Sequence, residues 1–334
     1  MNMDLKTQYL GLSLPHPFVV GASPLGDSLD RLRRAEDAGA AAIVLRSLFE
    51  EQQSQDALAH YLAAHLHADA HGEATSYLPP VEPQVFGPDE YYEHVRAAKA
   101  AVRVPLVASL NGCSTAGWLE HARAIDAAGA DALELNLYEV ATEASDSGEE
   151  IERRSAALVR EVVRAVRLPV CVKLSPFYTS LPNFALQLQA AGARGLVLFN
   201  RFYEPDIDPE TLSVTPHLEL STSTELLLRL RWLAILSPQF AGSLACSGGV
   251  HTVRDAQKAL LAGAHVLQLV GALLRGGLGR IAVLREELQR VLAEAGYSSL
   301  QQLRGSMDYS RTPDPKAFER GNYQRLLQTW VLPE

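Results

Sequence analysis

The sequence predicts an α/β protein, a (β/α)8 barrel of eight parallel strands with an insertion after the second strand and a C-terminal extension. Two observations carry that reading. Four helical stretches end in a Gly beside Ala and pass straight into a short apolar run: EDAGAAAIVL at Gly39, DAAGADALEL at Gly129, QAAGARGLVL at Gly192 and LLAGAHVLQL at Gly263. Gly ends a helix in the left-handed conformation at little cost, and a β-rich run directly after it turns the chain back onto a buried strand. The second observation is the number of such runs, eight, which closes a barrel of repeated βα units. A doubly wound sheet needs fewer strands and a GxGxxG after the first, which GASPLGD at Gly21 does not supply.

In chain order the strands are FVVGASP ending near Pro24, AAIVLRS near Ser47, PLVASLNG near Gly112 and ALELNLY near Tyr138. PVCVKLSP near Pro176, GLVLFNR near Arg201, SLACSGG near Gly249 and HVLQLVG near Gly271 complete the set. Most are continuous apolar runs, as strands buried on both faces are. Between them lie amphipathic segments such as SLDRLRRAEDAG, GWLEHARAIDAAG, EEIERRSAALVREVVRAV and TVRDAQKALLAG, several opened by a Ser or Thr cap.

The chain has 334 residues, 47% apolar and 21% charged, with a net charge of −9. That balance allows a large core and excludes a general attraction to nucleic acid or anionic membrane. No Pro/Ser linker interrupts the sequence, so residues 1–334 read as one domain. No apolar run reaches membrane-spanning length, and MNMDLKTQYLGLSLPHP lacks the order of a signal peptide. The three cysteines, Cys113, Cys171 and Cys246, form no disulfide or cluster framework and fit a reducing cytoplasm.

Two stretches fall outside the repeat. An insertion at about 50–87 carries ALAHYLAAHLHADAHG and then the Pro-rich SYLPPVEPQVFGP. Leaving the C-terminal end of a barrel strand, it would lie over the mouth as a lid or an oligomer contact. His60, His65, His67 and His71 lie here, with no Cys nearby, and are read as exposed helix residues rather than a metal site. From about 296 to 334 the chain runs on as a tail outside the barrel.

Barrel chemistry sits where strands end. Ser247, Gly248 and Gly249 close the seventh strand, and Gly271 and Ala272 follow the eighth. Small residues there let backbone N–H groups approach a phosphate. Lys173 closes the fifth strand inside an apolar run, so it needs an anionic partner or a reason to lose its proton. Three roles stay open: a donor to an electron-rich cofactor ring, a Schiff-base amine, or an ion pair with Glu134 or Glu139. Asn111, Asn136 and Asn200 close the third, fourth and sixth strands, and a side-chain amide both donates and accepts, which suits an imide edge.

The order ASP at Ala22, RS at Arg46, ELN at Asn136, VKLSP at Lys173, FN at Asn200, SGG at Ser247 and VGA at Val270 resembles the dihydroorotate dehydrogenases, FMN-dependent barrels, over roughly residues 5–290. The resemblance implies Ala22 and Ser23 beside the flavin ring and Ser47 and Asn136 on its polar edge. It implies Lys173 near N1/O2, and Ser247, Gly248, Gly249, Gly271 and Ala272 around the phosphate. It also implies a homodimer.

The substrate half departs from the family. Three residues past Asn136, where the family has a Ser or Cys base, stands Glu139, and Ala141 replaces an Asn that holds orotate. The family's Asn-Ser at the sixth strand reads Asn200-Arg201, and a Lys at the second has become Arg46. Glu139 is therefore the candidate base, and Arg46 and Arg201 suit a small anionic substrate. The expected function is an FMN-dependent oxidoreductase moving a hydride between a dihydropyrimidine-like substrate and flavin N5. A flavin-free lyase or aldolase using Lys173 as an imine, and a catalytically silent flavin-binding partner subunit, are the alternatives. No motif identifies the electron acceptor.

Overall fold

The computed structural model describes residues 3–49, 87–112, 114–201, 204–215 and 217–329. The insertion with its four histidines lies outside the described residues, as does Cys113. The chain opens with a hairpin of β1 (Thr7–Tyr9) and β2 (Leu12–Leu14), which the sequence reading had not assigned. Then follow β3 (Phe18–Val20), α1 (Leu29–Asp37), β4 (Ile43–Phe49), α2 (Pro88–Ala101), β5 (Leu106–Asn111), α3 (Thr115–Ala128) and β6 (Ala132–Asn136). Next come α4 (Gly148–Ala165), β7 (Val170–Leu174), α5 (Leu181–Ala191), β8 (Gly195–Leu198) and an exposed hairpin of β9 (Asp206–Asp208) and β10 (Ser213–Thr215). The fold ends with α6 (Leu226–Leu236), β11 (Ser243–Ser247), α7 (Val253–Leu261), β12 (Val266–Leu269), α8 (Gly271–Gly276), α9 (Arg280–Glu294), α10 (Leu300–Leu303) and α11 (Arg320–Thr329).

Strands β11, β12 and β3 to β8 close in that order into an eight-stranded parallel barrel. All eight are the runs expected from sequence. The four Gly at helix ends have φ of +88° at Gly39, +90° at Gly129, +103° at Gly192 and +114° at Gly263, so each turns the chain in the conformation that a side chain disfavours.

Period-two alternation sorts the strand residues into two layers. One set, including Phe18, Ile43, Leu106, Leu133, Val172, Leu196 and Leu267, packs outward against the helices. The other set, Val19, Val44, Val107, Ala132, Cys171, Val197, Ala245 and Val266, lies near the strand starts and packs against Tyr9, Leu10 and Leu14 of the first hairpin. That hairpin plugs the N-terminal end of the barrel.

Candidate active site

Two residues further along, the inward positions turn polar. Val107 is followed by Ser109 and Asn111, Ala132 by Glu134 and Asn136, Cys171 by Lys173, Val266 by Gln268 and Ala245 by Ser247. All of these polar side chains are buried. The barrel interior is thus apolar at its plugged end and polar toward the C-terminal mouth.

In β4 the register shifts between Val44 and Ser47, so that Val44 pairs with Val107 but Ser47 with Ser109. One extra residue re-aims the side chains that follow. Ser47 turns inward, where its Oγ lies 2.7 Å from Ser109 Oγ and 3.4 Å from Asn136 Nδ2. Arg46 turns to Asp27, donating through Nε at 3.1 Å and Nη2 at 2.6 Å.

Asn111 Nδ2 donates to the Asn136 carbonyl at 3.0 Å, fixing the end of β6 against that of β5. Lys173 Nζ lies 3.5 Å from Glu134 Oε1, and Gln268 Nε2 donates to Glu134 Oε2 at 2.8 Å. The ion pair that the sequence left open is therefore made with Glu134. Asn136 Oδ1 and Asn200 Nδ2 are buried without a hydrogen-bond partner, an uncommon state for native polar groups and one that calls for a ligand or water.

At the opposite side of the mouth Gly248 and Gly249 have φ of +85° and +82°. A Cβ on Gly249 would stand 2.6 Å from the Leu226 backbone nitrogen, and one on Gly271 would stand 2.8 Å from Ser221 Oγ, so both positions exclude a side chain. Behind this loop lies a residue that sequence reasoning missed. Arg229, buried on α6, donates through Nε to the Ser247 carbonyl at 2.6 Å and through Nη1 to the Glu225 carbonyl at 2.8 Å. Its only sequence signal was a charge repeated inside LLLRLRWLAIL. Ser23 is buried and bonds the Gly21 carbonyl at 3.0 Å, with Ala22 half-buried beside it, and Ala272 is buried at the start of α8.

The remaining candidates stand apart. Glu139 is exposed and pairs with Arg154, whose Nη2 also lies 3.1 Å from Asp146 Oδ2. Arg201 Nη2 lies 3.5 Å from Glu225 Oε1. Both arginines proposed for an anionic substrate thus already hold carboxylates. Among the described residues no group of three or more His, Cys, Asp or Glu could hold a metal, and no helix is long and apolar enough to cross a membrane.

Residues 83–292 match the family described as dihydroorotate dehydrogenase. The chain belongs to that family. It is 23% identical to the NAD-dependent dihydropyrimidine dehydrogenase subunit PreA of Escherichia coli (strain K12), across 94% of this chain and 79% of the relative. It is 30% identical to the dihydroorotate dehydrogenase B (NAD(+)) catalytic subunit of Desulforudis audaxviator, across 61% of this chain and 67% of the relative. The putative dihydroorotate dehydrogenase A (fumarate) of Aeropyrum pernix is 27% identical, across 90% and 97%. The chain is accordingly a dehydrogenase-type oxidoreductase acting on CH–CH donors. That class removes the lyase reading of Lys173.

Proposed function

We propose that this chain is an FMN-dependent dehydrogenase that takes a hydride from a small dihydropyrimidine-like donor. The observation that carries the reading is the donor and acceptor set left open at the mouth: Asn136 Oδ1 to accept, Asn200 Nδ2 to donate, and a Lys173 ammonium that makes no hydrogen bond among the described residues. An imide edge presents C=O, N–H and C=O in a row, and this set complements it. Such an edge belongs both to the pyrimidine half of a flavin ring and to a dihydropyrimidine. At the other side, the Ser247 to Gly249 backbone, held from behind by Arg229, and Gly271 would take the cofactor phosphate.

A bound flavin would supply the hydride acceptor, N5, and the proton lost from the neighbouring carbon would pass to water, because the Glu139 carboxylate at the rim is already held by Arg154. The protein's part would be to seat the ring on Ala22 and Ser23, to hold its polar edge with Ser47 and Asn136, and to present the Lys173 charge to the N1/O2 side. Because Arg46 is held by Asp27 and Arg201 by Glu225, the donor is recognised through its ring amides, by the Asn200 amide that the flavin edge leaves free, and a carboxylate is not needed. Homodimer formation belongs to the same proposal and is read by light scattering. The test is the identity of the chromophore released from purified protein by heat. FMN at one per chain is the expected result; riboflavin, FAD or no chromophore would overturn the reading.

A further inference from the structure

Glu134 is fully buried in the barrel interior, one layer below the mouth. A carboxylate in that position is costly unless it is paired. Its pairing is lopsided. Oε2 accepts a 2.8 Å hydrogen bond from Gln268, whereas Oε1 has no hydrogen bond and meets Lys173 only at 3.5 Å. Elsewhere in the same protein Lys99 closes onto Asp131 at 2.6 and 2.7 Å. Gln268 thus holds the Glu134 carboxylate from the far side, and the Lys173 ammonium is left between this buried charge and the mouth with its three donors uncommitted.

We propose that Glu134 is a positioning residue for the redox site: it holds and partly neutralises the Lys173 ammonium, and so sets the reduction potential of the bound flavin. This rests on the flavin reading above. Reduction by hydride leaves negative charge on the N1/O2 edge, and Lys173 stabilises that charge to the extent that Glu134 does not already claim it. Gln268 acts one step further back, by competing with Lys173 for the carboxylate. The inference therefore assigns opposite effects to two neighbouring buried residues, which a general loss of packing does not produce.

The experiment is an anaerobic redox titration of the FMN-loaded protein, wild type against Glu134→Gln and Gln268→Leu. Glu134→Gln keeps the shape and an acceptor for Gln268 but removes the counter-charge. It should raise the potential, increasing the reduced-to-oxidised ratio about tenfold at a fixed applied potential, or about 30 mV for a two-electron couple. Gln268→Leu frees the carboxylate to close on Lys173 and should lower the potential. In a Lys173→Met background the Glu134→Gln shift should disappear, because the effect passes through the ammonium. A wild-type potential in Glu134→Gln, or the same shift with and without Lys173, overturns the proposal while leaving the flavin reading intact. If Glu134→Gln does not load FMN, the Gln268→Leu shift decides, and a rise or no change there overturns the proposal. Wild-type protein that takes up no FMN overturns both.

Discussion

Arg229 Nε and the Ser247 carbonyl, 2.6 Å apart, join the interior of α6 to the last residue of β11. The guanidinium is buried, and its burial lowers its pKa from the usual arginine value. A buried charge in this place fixes the backbone that leads into Gly248 and Gly249. Arg229→Leu removes a charge-assisted hydrogen bond of about 1.5–3 kcal/mol, so FMN affinity should fall about 10- to 100-fold. Fluorescence titration of the stripped protein with FMN measures it, and an unchanged affinity would separate Arg229 from the cofactor loop.

Two glycines with left-handed backbones differ in what surrounds them. Gly11 at φ +84° has nothing within 4 Å of an added Cβ, whereas at Gly249 the Leu226 backbone nitrogen stands 2.6 Å away. Gly11→Ala should cost only the backbone strain, about 1–2 kcal/mol. Gly249→Ala adds a steric clash with backbone and should cost about 2–5 kcal/mol. Urea unfolding of the two variants checks the order, and FMN content should fall only in the second.

Glu139 is exposed and tied to Arg154 on the rim. Losing a general base costs about 10²–10⁴-fold in rate. Glu139→Gln is instead predicted to keep kcat within about threefold, below that range. A drop of about 100-fold or more, with FMN still bound, would return Glu139 to the chemistry.

His16 and His265 each use Nδ1 to accept a backbone N–H, from Phe18 at 3.3 Å and from Leu244 at 3.1 Å. Burial is the main cause that pulls both pKa values down, from 6.5 to about 4. Both histidines are therefore neutral in the native state at pH 5 to 6, while an unfolded chain binds protons from about 6.5 downward. The unfolded state holds more protons in that window, so stability falls as pH drops from about 6.5 toward about 4. Urea midpoints should decline from pH 7.5 to pH 5, and replacing His265 with Gln should flatten part of the decline. A midpoint independent of pH over that range would contradict the assignment.

The barrel was legible because its signals are local. Most strands are continuous apolar runs, and Gly39, Gly129, Gly192 and Gly263 mark where helices stop. The mouth was legible in part for the same reason: Asn111, Asn136, Lys173 and Ser247 stand at strand ends, and period-two counting back from them reaches Ser109 and Glu134. What stayed hidden depends on contacts between distant segments. The bulge in β4 decides that Ser47 faces inward and Arg46 meets Asp27, and neither residue type announces it. The pairing of Arg201 with Glu225 and the reach of Arg229 to Ser247 likewise arise only once α6 packs against β8 and β11. The two hairpins were missed because strands of three residues carry too few positions for a periodic pattern.

The most direct test of the central claim is the visible spectrum of the FMN-loaded protein, followed anaerobically as dihydrouracil or dihydroorotate is added. If the Asn136, Asn200 and Lys173 set serves a flavin dehydrogenase that recognises ring amides, dihydrouracil bleaches the flavin band. Its reduction rate constant per unit concentration should exceed that of dihydroorotate by about tenfold or more, the equivalent of about 1.4 kcal/mol. Flavin that stays oxidised with both donors would contradict the dehydrogenase account, and bleaching by dihydroorotate alone would contradict the recognition of a neutral ring.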